Sequence, residues 1–275
     1  MKQLDNRFLP TGSLLKLLYP AYMLLLVFSQ LTANAQKPAT CKAALVQARL
    51  CWGNVDANLS AFKKRVEACQ GCELIVLPEL FASGCEMKKK TGVSAPDPKE
   101  AVSARYEEIL REMKNWAATS QALIIGSTIF QAEGKYYNRL LAVYPDGRYQ
   151  YYDKHNCFKK GHFTPGNTSL IVEWKGHRIA TYICYDLRFA QWSRNDGQYD
   201  TALYIANWPA SRRDDWKRLL KERASENQAY ILAVNCAGTD PSGLRYAGDS
   251  ALLSPSGEPL AACQPYQEEI LIVDF

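Results

Sequence analysis

Strand-like runs in this chain end on residues that can do chemistry together. Leu74-Ile75-Val76-Leu77-Pro78 leads into the carboxylate Glu79, and Tyr149-Gln150-Tyr151-Tyr152-Asp153 leads into the ammonium Lys154. The apolar, β-branched stretch from His177 to Ile183 ends on the thiol of Cys184. An acid, a cation and a nucleophile at the carboxyl ends of separate strands stand where an open α/β sheet presents its reactive groups. The residues after Cys184 favour turns and helices, so the sequence predicts a strand-to-helix turn. Such a turn exposes the nucleophile and brings backbone N–H groups close to it. A cysteine closing a strand is more often plain core packing; the two charged strand ends lift this one above that reading.

These same stretches carry a resemblance. Leu77-Pro78-Glu79, Asp153-Lys154-His155 and Cys184-Tyr185-Asp186-Leu187-Arg188-Phe189, in that order, resemble the nitrilase superfamily of carbon–nitrogen hydrolases. Ala206-Asn207-Trp208-Pro209, the run Arg223 to Tyr230 and Gly248-Asp249-Ser250 are similar to its omega-amidase branch, which hydrolyses 2-oxoglutaramate and related omega-amides. The resemblance extends from about Lys42 to the C-terminus. It implies a mixed α/β fold, the four-layer α-β-β-α sandwich, over residues 42–275. It also implies roles. Cys184 attacks the amide carbonyl, Glu79 serves as general base, and Lys154 with the Tyr185 backbone N–H steadies the oxyanion. Arg188 reads either as a structural salt bridge or as an anchor for a substrate carboxylate. Trp208 and Ser211 follow a strand end and are expected to line the pocket. The substrate is a small amide, with N-carbamoyl or nitrile substrates as alternatives, and no metal or organic cofactor is implied. The sequence also departs from the family. A second glutamate is usual in the loop after the lysine, whereas residues 154–172 contain no Asp or Glu. That leaves open a catalytically impaired member kept for binding or assembly. The chain also stops at Phe275, directly after a strand, where relatives continue into a tail on a partner subunit, which weakens the expectation of a homodimer.

With 275 residues, 47% hydrophobic and 22% charged, the chain suits one large globular domain. A net charge of +5, with only the short basic runs Lys88-Lys89-Lys90 and Lys159-Lys160, argues against a nucleic-acid partner. Residues 1–35 have the plan of a secretory signal peptide. Lys2, Arg7 and Lys16 precede the apolar run Leu17 to Phe28, and Ala33-Asn34-Ala35 stands before Gln36. The expectation is export, for example to a periplasm, with an uncleaved N-terminal anchor as the only membrane contact. Nine cysteines without a paired framework point instead to a reducing cytoplasm. Cys69 and Cys72 have redox spacing but fall at a helix end with Gly71 as its cap, and the histidines His155, His162 and His177 offer no zinc set.

The elements follow from periodicity. Asn54 caps a helix with Val55, Leu59, Phe62, Val66 and Cys69 on one face, and a second helix carries Val102, Tyr106, Ile109, Met113 and Trp116. Strands are predicted over 43–47, 74–77, 123–127, 136–143, 149–153, 169–174, 177–183, 201–205, 230–235, 250–253 and 269–273. Pro145-Asp146-Gly147 and Lys175-Gly176 read as hairpin turns, residues 81–98 as a surface excursion, and Trp216, Leu219, Leu220 and Arg223 as one face of a late helix.

Overall fold

The computed structural model describes residues 40–84, 98–158 and 162–275. The expected leader, Cys85, and the basic runs at 88–90 and 159–160 lie outside the described residues. Among the described residues no helix is long and apolar enough to cross a membrane.

Two six-stranded sheets form the centre. The first runs β14-β1-β2-β3-β4-β5 and the second β13-β12-β9-β8-β7-β6. In the first, β1 (Lys42–Gln47), β2 (Leu74–Val76) and β3 (Leu123–Ala132) are parallel, and β4 (Lys135–Val143) and β5 (Tyr149–Asp153) follow as antiparallel hairpins. In the second, β6 (Ile171–Trp174) pairs with β7 (His177–Ile183) across Lys175-Gly176, both at positive φ, as a tight primed turn requires. Then β7, β8 (Thr201–Ala206) and β9 (Tyr230–Asn235) run parallel, flanked by β12 (Ala251–Leu253), β13 (Pro259–Ala262) and, back in the first sheet, β14 (Glu269–Asp274).

Side chains alternate across each strand, so each sheet buries two faces. Leu74, Val76, Leu123, Ile125 and Leu140 meet Ile179, Ile183, Leu203, Ile205 and Leu232 between the sheets. The opposite face of the first sheet, with Ile75, Leu77, Ile124 and Leu141, packs on α1 (Val55–Glu67) and α3 (Tyr106–Ser120). That of the second, with Ala202, Tyr204, Ile231 and Ala233, packs on α4 (Arg213–Asn227). This is the expected α-β-β-α sandwich. The Asn54 cap is present, its Oδ1 accepting from the Ala57 N–H at 3.0 Å.

Several expectations need correction. The second helix is two: α2 (Pro98–Ser103) and α3, broken at Ala104-Arg105. The apolar face stays in phase across the break, while the Arg105 guanidinium turns out to Asp56 of α1 at 2.5 Å and to Glu108 at 2.7 Å. Phe81, Ala82, Ser83 and Gly84 are buried rather than on the surface, because Phe81 fills the space between the sheet and Phe62. Cys184 opens a five-residue 3₁₀ turn, Cys184–Arg188, and not a helix. The strands β10 (Ala237–Thr239), β11 (Arg245–Ala247) and β13 were not predicted. The first two pair around a turn in which Asp240 accepts from the Ser242 and Leu244 N–H groups. The third is an edge strand mostly open to solvent, which carries no apolar periodicity.

Candidate active site

β2 is buried on both faces and leaves the sheet through Leu77-Pro78 into Glu79. The next residue, Leu80, sits at φ 46°, and its N–H donates to Ser127 Oγ at 2.8 Å while the Phe81 N–H donates to the Ser127 carbonyl at 3.1 Å. The turn that aims Glu79 is thus fastened to β3. Glu79 is 1% exposed. Its Oε1 accepts from Lys154 Nζ at 2.7 Å and from Asn138 Nδ2 at 2.8 Å, and its Oε2 accepts from the Asn207 backbone N–H at 2.8 Å. All three partners donate, and burial of a carboxylate is tolerable only with such pairing.

Lys154 follows the last residue of β5 and is 6% exposed. Antiparallel pairing sets Arg139 opposite Asp153, and the Lys154 N–H donates to the Asn138 carbonyl at 2.9 Å. The period of two then sends Asn138 and Lys154 to one face, toward Glu79, and Arg139 and Asp153 to the other, where two guanidinium nitrogens bind the carboxylate at 2.8 Å each. Gly166 closes on this strand end. Its N–H donates to the Lys154 carbonyl at 3.0 Å, and a Cβ there would stand 2.2 Å from the Asp153 carbonyl oxygen.

Cys184 comes from the other sheet. In the parallel β7–β8 pair Ile183 is level with Ile205, so Cys184 leaves β7 at the same end of the sheet at which β8 leads through Ala206 into Asn207. Asn207 is the joint between the sheets. Its N–H binds Glu79 Oε2, and its side chain donates to the Glu79 carbonyl at 3.0 Å. Cys184 is half-buried at φ 48°, in the left-handed region that costs an L-residue about 1–3 kcal/mol. A strand-end turn of this kind is one way a fold presents a nucleophile, and Leu80 and Asp249 among others share the positive φ. Other thiols differ. Burial pushes Cys157, three residues past Lys154, up to about 11, and Cys69 up to about 12, with Cys72 also raised. The raised Cys69 and Cys72 thiols fit a buried helix end better than a redox pair.

The remaining expected residues divide. The half-buried ring of Tyr185 packs edge-on to Phe158 and Phe189. Arg188 closes the 3₁₀ turn instead of opening a helix. It donates to Asp215 at 2.7 Å and lies over the Trp208 ring at 4.8 Å, so the salt bridge is real. Trp208 is buried, with Arg212 near its ring at 5.9 Å and over Phe158 at 4.8 Å. Ser211 is exposed on the 3₁₀ turn Ala210–Arg212. The structure therefore joins Glu79 to Lys154 directly and groups Arg188 with Trp208.

Sequence reasoning missed Asn138, Asn207, Asp186 and Arg212 as parts of this region. Asn207 and Asp186 lay inside motifs already singled out, so position was the available signal; Asn138 and Arg212 had none. Among the described residues no group of three or more His, Cys, Asp or Glu is arranged to hold a metal. The chemistry open to these groups is that of a thiol attacking an electrophilic carbon beside a carboxylate that can take its proton and an ammonium that stabilises negative charge.

Comparison with known proteins identifies the family. The carbon–nitrogen hydrolase family model matches residues 42–275. A protein of Escherichia coli K12 named omega-amidase YafV is 41% identical over 230 residues, covering 82% of this chain and 86% of that protein. A 2-oxoglutaramate amidase of Bacillus subtilis is 27% identical over 224 residues, covering 78% and 83%. A solved CN-hydrolase superfamily structure from Xanthomonas campestris, with an arsenic adduct in its active site, superposes with a TM-score of 0.78 at 34% identity, covering 86% of this chain and 90% of that one.

Proposed function

The chain belongs to the carbon–nitrogen hydrolase family, and from that premise we propose that it is an omega-amidase, releasing ammonia from small omega-amides of dicarboxylic acids such as 2-oxoglutaramate. The similarity to proteins named omega-amidase and 2-oxoglutaramate amidase supports the substrate class. The observation that carries the chemistry is the buried Glu79–Lys154 pair, tied through Asn207 to the strand end beside Cys184.

In this reading Glu79 takes the Cys184 proton as the sulfur attacks the amide carbon. Lys154 and the Tyr185 N–H stabilise the resulting oxyanion. The intermediate collapses, the C–N bond breaks, and Glu79 returns the proton to the leaving nitrogen, giving ammonia and a Cys184 thioester. Water then attacks the thioester, with Glu79 again as base, and the free acid leaves with the thiol restored. Asn138 and Asn207 keep Glu79 aimed throughout, since each binds it with a donor and neither competes for its proton. Arg188 and Arg212, both near the Trp208 ring, supply positive charge for the substrate's free carboxylate. Arg188 is already engaged with Asp215, so Arg212 has the larger share of its donors available to a ligand among the described residues.

The test is ammonia release from 2-oxoglutaramate by the full chain beside its Cys184→Ala variant. Activity in the parent that vanishes in the variant supports the proposal. A folded parent that releases no ammonia overturns the substrate, and equal activity in both overturns the nucleophile.

A further inference from the structure

Asp186 takes no part in the steps above, yet its carboxylate is fully enclosed, with 0% of the residue exposed. Its Oδ2 accepts from the Tyr152 hydroxyl at 2.8 Å and from the Ile183 N–H at 3.0 Å. Its Oδ1 accepts from the backbone N–H of Asn156 at 2.8 Å and from that residue's side-chain amide at 3.0 Å. Tyr152 is itself committed. Its oxygen accepts from the His155 N–H and from Trp192 Nε1, each at 3.0 Å, so its proton is directed to Asp186. The His155 ring stacks on Trp192 at 3.6 Å, and its Nδ1 lies 2.6 Å from the Gly166 carbonyl. Burial raises the Asp186 carboxyl above its ordinary value, and Lys154 and the donated bonds offset only part of that. Every partner donates, the arrangement that suits a carboxylate acceptor.

The contacts join segments that the sheet topology keeps apart. Tyr152, His155 and Asn156 straddle Lys154 at the end of β5 in the first sheet. Ile183 and Asp186 straddle Cys184 at the end of β7 in the second. We infer that Asp186 is a positioning residue: its buried carboxylate locks the left-handed Cys184 turn against the Lys154 strand end, setting thiol and ammonium relative to each other across the two sheets. Cys184 needs such a clamp, because a strained backbone conformation persists only where its surroundings over-determine it. Asp186 thus brings a carboxylate of the cysteine turn into the field of Lys154, where residues 155–172 contain none.

The inference rests on the thiol-hydrolase reading, and the test separates the two. The rate at which iodoacetamide alkylates Cys184, followed by peptide mass spectrometry, requires no substrate. Turnover of 2-oxoglutaramate is measured beside it, with circular dichroism to count folded molecules. Asp186→Asn keeps the volume but points an N–H₂ at groups that are themselves donors. It is expected to fold, to lose about 10² in kcat with KM little changed, and to alkylate more slowly at Cys184. Tyr152→Phe and Asn156→Ala each remove part of the same clamp and are expected to move kcat and alkylation in the same direction by less. An Asp186→Asn protein whose kcat and alkylation rate per folded molecule both stay within about threefold of the parent overturns the inference. If that variant does not fold, the Tyr152 and Asn156 variants decide by the same two rates. If the parent turns over no amide, the alkylation rates alone decide.

Discussion

Two ion pairs lie back to back on the β4–β5 hairpin. Toward the helices, Arg139 grips Asp153 with two bonds and is sandwiched between Phe130 at 3.6 Å and Tyr151 at 3.8 Å. Toward the other sheet, one residue beyond Asp153, Lys154 meets Glu79, which follows β2, at 2.7 Å. The first pair uses a planar, bidentate cation stacked on rings, which suits fixing a strand end. The second uses a compact point charge, which can attend to a carboxylate and to charge developing in front of it. Both are largely buried, so neither comes free of desolvation cost. Under the proposed mechanism, the comparison separates a pair that holds the end of β5 from a pair that acts on the substrate.

The strongest way to break this contrast is to truncate each cation. Lys154→Ala is expected to lower kcat by about 10²–10³ while the fold survives, the usual cost of removing one oxyanion-stabilising group. Unchanged ammonia release would contradict the assignment. Next comes Gly166→Ala, whose methyl must push the Asp153–Lys154 backbone aside. Displacing a reacting group by ~1 Å is expected to cost up to about 10² in turnover, with KM less affected. Wild-type kcat in a variant of unaltered stability would show that the lysine is not held by this contact. Arg139→Ala leaves the partly buried Asp153 without its partner and is expected to cost about 3 kcal/mol, read as a lower denaturation midpoint, with kcat per folded molecule falling less than for Lys154→Ala. Asp215→Ala, at the partly exposed Arg188 pair, is expected to leave the thermal midpoint unchanged; a large shift would place that pair in the structural class.

The thiols offer a gentler probe of the scaffold. Burial pushes Cys41, Cys69 and Cys263 from 9.0 up to about 12. The folded chain keeps these protons where the unfolded chain releases them. Their contribution to stability is whole below pH 9.0 and is lost as the pH climbs toward about 12. A urea midpoint that stays flat across that interval would mean these thiols are not enclosed as described.

Much of this architecture was legible in the residues, because burial leaves a period. The faces of α1, α3 and α4 and the strands from β1 to β9 announced themselves by apolar spacing of 3.6 or 2, or by unbroken apolar runs. What stayed hidden had no apolar period: the exposed edge strand β13 and the short hairpin β10–β11 made by the Asp240 side chain. The helix break at Arg105 was hidden because the buried face continues through it. In the site, Glu79, Lys154 and Cys184 could be named from strand ends and motif order, since a strand's carboxyl end is fixed by local sequence. That Glu79 binds Lys154, Asn138 and Asn207, and that Asp186 ties the cysteine turn to the lysine strand, was decided by tertiary structure alone. Those partners are 59 to 128 residues from Glu79 and 30 from Asp186; the strand order of the first sheet brings Asn138 and Lys154 to Glu79, and the stacking of one sheet on the other brings Asn207 to Glu79 and Asn156 to Asp186.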